Sequence, residues 1–143
     1  MTSVEQPVES SPLDFLRRVP AEAHQLAGVR KAVLSFAEAC GVTKAAQADV
    51  VLAVGEACAN VVIHAYVDAA APGWLTVQAY HPDGELVVAV RDEGRGMLPR
   101  TDSPGLGLGL SIIGRVTQRL QILEHGASGT EVRMTFAMGA AEK

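Results

Sequence analysis

Between Val50 and Tyr66 the chain reads VVLAVGEACANVVIHAY, an apolar run broken by three strongly polar residues, Glu56, Asn60 and His64. They recur every four residues, so on a helix they form one slowly drifting stripe with neighbours a turn apart. Burying a carboxylate, an amide and an imidazole among valines costs roughly several kcal/mol unless something pairs with them. A metal ion, a polar ligand or a hydrogen-bond network must therefore face the stripe. Two glycine-rich motifs follow it: Asp92-x-Gly94-x-Gly96 leaves a predicted strand, and Gly105-x-Gly107-x-Gly109-Leu110 opens a predicted helix.

Each of the three pieces has a chemical task if the ligand is a nucleoside triphosphate with Mg²⁺. The Asn60 amide oxygen is a neutral hard donor that suits Mg²⁺, an ion that keeps several of its waters. Glu56, one turn away in a largely apolar groove, suits a general base for a hydroxyl or water attacking the γ-phosphate. An ionised Asp92 at a strand end could accept a hydrogen bond from an exocyclic amine such as that of adenine. Gly94 and Gly96 let the backbone approach a flat base closely. Gly105 to Gly109 precede a helix, so free N–H groups and the positive end of its dipole would face phosphates. Any one of these motifs alone is more often a satisfied core residue or a turn. Their ordered combination is what chance rarely produces. His64 is left with two readings, a ligand or a residue that caps the helix end.

The elements that must carry these residues are legible in outline. Residues 1–12 are polar and rich in Pro and Ser, the composition of a mobile tail. Leu13 to Val19 reads as a strand ended by Pro20, and Ala23 to Ala39 as a helix with Gly41 near its C-cap. Thr43 is a suitable N-cap for the helix bearing Glu56, which the pattern extends to about Val67. Trp74 to His81 and Glu85 to Arg91 alternate as two strands joined at Pro82-Asp83-Gly84. Residues 92–109 read as a loop, Leu110 to about Arg119 as a helix, and Leu120–Glu124 with Thr130–Met138 as a last strand pair. Hairpin-connected strands cluster in the second half. This predicts an α/β (α+β) two-layer sandwich, its mixed, mostly antiparallel sheet covered by helices on one face.

Composition narrows the class. The chain has 143 residues, the size of one domain, with 12 basic and 16 acidic side chains and a formal charge of −4. A basic stripe for nucleic acid is not expected at that balance. With 48% hydrophobic residues but only 4% aromatic, the core must be built from Val, Leu, Ile and Ala. Lysine occurs only at 31, 44 and 143, and no G-x-x-x-x-G-K-[ST] loop is present. Cys40 and Cys58 are too few for a disulfide framework or a zinc site. No secretory signal and no run of ~18 uninterrupted apolar residues is visible, so a cytoplasmic location is expected.

Taken in order, Glu56-x-x-x-Asn60, Asp92-x-Gly94-x-Gly96 and Gly105-x-Gly107-Leu108-Gly109-Leu110 resemble the N, G1 and G2 boxes of the GHKL (Bergerat-fold) ATPases. Within that superfamily the stretch from Leu13 to Met138 resembles the anti-sigma factor serine kinases of the RsbW and SpoIIAB type. Arg30, the run DVVLAVGEACANVVIHAY and Gly129-Thr130 carry that finer likeness.

The resemblance implies one ATP-binding domain over 13–138, followed by a short tail at 139–143. ATP would lie between helices and sheet, with Glu56 as catalytic base and Asn60 as Mg²⁺ ligand. Asp92 would read the adenine amine with support from Thr130. Gly94 and Gly96 would line the base pocket, and Gly105, Gly107, Leu108, Gly109 and Leu110 the phosphates. It also implies two partners, a sigma factor held inactive and a STAS-domain antagonist phosphorylated on Ser or Thr, and often a homodimer. Two features depart from the kinase pattern: residues 97–104 are short for an ATP lid, and Leu106 stands where a basic residue is frequent. They motivate an alternative, a nucleotide-dependent switch without phosphotransfer. A histidine-kinase catalytic domain is disfavoured, because nothing around His24 resembles a phospho-acceptor box.

Overall fold

The computed structural model describes residues 14–66, 73–94, 106–125 and 129–139. Five strands, β1 (Phe15–Pro20), β2 (Trp74–Tyr80), β3 (Glu85–Asp92), β4 (Arg119–Glu124) and β5 (Thr130–Ala137), form one sheet in the order β1-β2-β3-β5-β4. Every pairing among them is antiparallel. Three helices, α1 (Leu26–Ala39), α2 (Lys44–Asn60) and α3 (Leu106–Val116), form the second layer.

The alternation anticipated from the sequence decides which residues meet. Leu75, Val77 and Ala79 of β2 stand opposite Asp92, Val90 and Val88 of β3, and Val88 and Val90 in turn stand opposite Met134 and Val132 of β5. All but Asp92 belong to the apolar core. From the helical layer come Val29, Val33 and Ala37 of α1, Val50, Ala53, Val54 and Ala57 of α2, and Ile113 of α3. Aliphatic residues supply nearly all of it, as the scarcity of aromatics requires.

Helix boundaries follow local chemistry. The Thr43 hydroxyl oxygen accepts from the Ala46 N–H at 3.2 Å, the N-cap anticipated for α2. At the end of α1 the Gly41 and Val42 N–H groups donate to the Glu38 and Ala37 carbonyls at 3.0 and 3.1 Å, which satisfies two acceptors of the last turn. Lys44–Ala65 is long and apolar enough to cross a membrane by length and composition. Its apolar side is instead spent on the sheet and on the flanking helices, where Val50, Val54 and Val61 have no exposed surface.

Several boundaries differ from expectation, β1 among them, which includes Pro20. A short 3-10 turn, Ala23–Gln25, precedes α1. Helix α2 stops at Asn60 and gives way to a wider π-helical turn over Val61–Ala65, so His64 leaves the α-helical stripe that the four-residue spacing suggested. Helix α3 begins at Leu106 rather than Leu110 and ends at Val116, so that Arg119 opens β4 instead of closing the helix. Each helical glycine costs about 1 kcal/mol relative to alanine, yet α3, which packs against α2, runs back through Gly107 and Gly109.

Candidate functional site

Helix α2 carries two buried amides that make an informative contrast. Gln47, near its start, donates from Nε2 to the Val42 carbonyl at 2.8 Å. Asn60, at its end, is 6% exposed, and its Nδ2 has no hydrogen-bond partner among the described residues. A buried polar atom left unmatched costs about 1–3 kcal/mol. The unmatched Nδ2 is a donor, so what would satisfy it is an acceptor oxygen. Glu56, one turn earlier, is half-buried and reaches solvent from the same end of the helix.

The wider turn after Asn60 brings this end of α2 to the end of β3. Gly94, two residues past β3, lies so close to the Ala65 carbonyl and the Tyr66 ring that a Cβ there would collide with both. Asp92, the last residue of β3, has no exposed surface and lies on the helix-facing side with Val88 and Val90. Its Oδ1 accepts from the Gly94 N–H at 2.9 Å, which shapes the turn that leaves the strand.

Directly across the ladder from Asp92 stands Thr130, 4% exposed. The residue before it, Gly129, has φ +108°, and a Cβ would run into the Asp92 carbonyl. Only glycine both adopts that angle and permits that approach. Gly129-Thr130 is thus the element that seats Thr130 beside Asp92.

Helix α3 runs antiparallel to α2: Thr43, Ala46 and Asp49 near the start of α2 line one cavity with Arg115 and Val116 at the end of α3. It follows that α3 opens at the end of α2 that carries Asn60. Gly107, Leu108 and Gly109 form its first turn, where N–H groups lack intrahelical acceptors and the dipole is positive. These residues thus begin a helix instead of preceding one, and their suitability for phosphate oxygens comes from the helix terminus itself. Leu110 follows, half-buried. Gly96 and Gly105 lie outside the described residues, as do residues 97–104.

Two groups around this constellation were not singled out from the sequence. Tyr66 donates to the Trp74 carbonyl at 2.6 Å and accepts from the Glu93 N–H at 2.8 Å. Burial raises its phenol above the ordinary value, with Asp92 and Glu93 adding in the same direction. On the outer face of the sheet Glu131 is 3% exposed and pairs with Arg133 at 2.8 Å, Arg91 at 3.4 Å and His125 at 3.5 Å. Burial alone would raise its carboxyl, but Arg133, Arg91 and His125 together hold it below the usual carboxylate range. The only signal for Tyr66 was an aromatic ending the apolar run. For Glu131 there was none, because strand register decides which charges meet.

Cys58, between Glu56 and Asn60, is fully buried and its thiol is pushed up to about 12 by burial, so it serves as a small core residue. Among the described residues no group of three or more His, Cys, Asp and Glu is placed to hold a metal. A single amide oxygen is nonetheless a fitting donor for Mg²⁺, whose remaining positions go to phosphate oxygens and water.

A two-layer sandwich with a buried amide on its central helix, a carboxylate at a strand end and a helix terminus converging at one end defines a nucleotide-binding class. Comparison with known proteins agrees: the family model described as histidine kinase-like ATPase domain matches residues 19–136. The chain belongs to this family. It is 31% identical over 121 residues to an anti-sigma F factor of Caldanaerobacter subterraneus subsp. tengcongensis, covering 77% of this chain and 83% of that protein. It is also 31% identical over 132 residues to a serine-protein kinase RsbW of Halalkalibacterium halodurans, covering 82% and 78%. Among solved structures, the RsbU and RsbW domains of a Mycobacterium tuberculosis protein superpose with a TM-score of 0.69 at 24% identity, over 87% of this chain and 32% of that one. That likeness concerns the fold.

Proposed function

We propose that this chain is an ATP-binding anti-sigma regulatory factor that binds a sigma factor and phosphorylates a serine or threonine on a STAS-domain antagonist. The observation that carries the reading is Asn60, a buried amide with an unmatched Nδ2 one turn beyond Glu56, at the end where Asp92, Thr130 and the start of α3 converge. Relatives named anti-sigma F factor and serine-protein kinase RsbW support it.

In this reading Asp92 accepts from the exocyclic amine of adenine while Gly94 lets the backbone lie against the ring. The first turn of α3 receives the phosphates. When bound, Mg²⁺ supplies neutralisation of the triphosphate charge, and the Asn60 amide oxygen is the group that would hold it. Glu56 takes the proton from the acceptor hydroxyl as its oxygen bonds to the γ-phosphorus. The bond from that phosphorus to the β,γ-bridging oxygen breaks, and ADP leaves.

The test is label transfer from γ-labelled ATP with Mg²⁺ to a panel of STAS proteins from the same genome. Transfer to one of them, abolished in Glu56→Gln while nucleotide binding persists, is the expected result. Transfer undiminished in Glu56→Gln removes Glu56 as the base. Failure of the wild type to bind any adenine nucleotide refutes the whole reading.

A further inference from the structure

The hydroxyl of Tyr66 is tied at both ends to backbone, and both ends matter to the site. It donates to the carbonyl of Trp74, the first residue of β2, and accepts from the N–H of Glu93, the residue between Asp92 and Gly94. Its ring fills the space above two glycines. A Cβ at Gly73 or at Gly94 would strike the ring itself. Tyr66 follows directly on the π-helical turn Val61–Ala65, which begins at the residue after Asn60. One side chain thus spans from the end of the Asn60 helix to the turn that presents Asp92.

The neighbours reinforce the same place. Arg18 lies over the Trp74 ring at 4.1 Å and pairs with the Glu93 carboxylate at 3.5 Å. Both groups are half-exposed, so this outer pair adds little by itself. The two backbone hydrogen bonds of Tyr66 are the part that fixes geometry. Without them the Glu93 N–H would lose its acceptor, and the Asp92–Gly94 turn would lose its ties to the end of the Asn60 helix and to the start of β2 while keeping the bond from the Gly94 N–H to Asp92 Oδ1.

We infer that Tyr66 is a positioning residue for base recognition: its hydroxyl clamps the Asp92–Gly94 turn to the end of the Asn60 helix and sets the adenine-reading carboxylate in place. The inference rests on the proposed role of Asp92 and Gly94 in binding the base. It places Tyr66 beside the base and away from the phosphates, and that distinction is what an experiment can read.

Tyr66→Phe keeps the ring against Gly73 and Gly94 and removes only the hydroxyl. Calorimetric titration of the full chain with ATP, ADP and adenosine should show all three weakened by the same factor, roughly tenfold for the loss of two backbone hydrogen bonds. The ATP-to-ADP affinity ratio should stay at its wild-type value, because the phosphate half is untouched. Amide exchange at Glu93 should accelerate in the variant, a direct reading of the lost bond. A purely structural Tyr66 would lower the melting temperature and leave the affinity of the folded protein for all three ligands within twofold of wild type, which overturns the inference. A defect that grows with phosphate number overturns it as well, by placing Tyr66 on the triphosphate. If wild type binds none of the three ligands, the proposed function fails and this inference fails with it; if only the variant's affinity is unchanged, the proposed function stands and the inference alone falls.

Discussion

Asp92→Asn isolates the group proposed to choose adenine. The substitution is nearly isosteric, and the new Oδ1 can still accept from the Gly94 N–H that Asp92 now holds at 2.9 Å, so the turn keeps its shape. What changes is the second atom of the head group, from a carboxylate oxygen, an acceptor in the proposed role, to an amide donor, in a side chain with no exposed surface. A hydrogen bond to a charged acceptor contributes about 1.5–3 kcal/mol, which corresponds to roughly 10- to 150-fold in Kd. Affinity for ATP and ADP should fall by a factor in that range. GTP carries a carbonyl oxygen where ATP carries the amine, so an amide donor at position 92 should narrow or reverse the preference for ATP. Titration calorimetry with ATP, ADP and GTP measures both effects, and circular dichroism verifies that the variant is folded. Unchanged ATP affinity would refute the assignment. So would an equal loss for ATP and GTP, since Asp92 would then only shape the turn.

Further outcomes follow from the residues around that pair. Gly129→Ala forces a Cβ toward the Asp92 carbonyl at a φ of +108°, a strain of about 1–3 kcal/mol; a drop of about 3–10 °C in melting temperature is expected, together with weaker ATP binding, and an unchanged thermogram would show that the close approach is not required. Glu131 has a carboxyl pKa lowered by Arg133, Arg91 and His125 against the opposing effect of burial. A carboxylate whose folded value lies below its unfolded value of about 4.3 contributes stability above that pH and loses it as pH falls through the folded value. Thermal scans from neutral to acid pH should therefore show Glu131→Gln less stable than wild type at neutral pH and converging with it in acid; parallel curves would contradict the linkage.

Much of this protein is determined locally. Apolar residues three and four apart made α1 and α2 legible, Thr43 and Gly41 marked their ends, and alternation marked β2 and β3, because caps and periodicities are properties of short stretches of chain. The chemical types at Glu56, Asn60 and Asp92 were equally plain, since a polar group in an apolar run is conspicuous wherever the run folds. Other features depended on residues far apart in the chain. Helix α3, packed against α2, runs back through Gly107 and Gly109 against their intrinsic preference. The π-helical turn after Asn60 took His64 off the stripe that its spacing suggested. Tyr66 acquired its place from Gly73 and Gly94, which are 21 residues apart in sequence but meet at the open end of the β2–β3 hairpin. Thr130 faces Asp92 only because β5 pairs with β3, and the same register buries Glu131 among arginines on the other side of the sheet. Which residues carry the chemistry is thus written in composition and spacing, whereas their juxtaposition belongs to strand register and helix packing, which no short stretch of sequence contains.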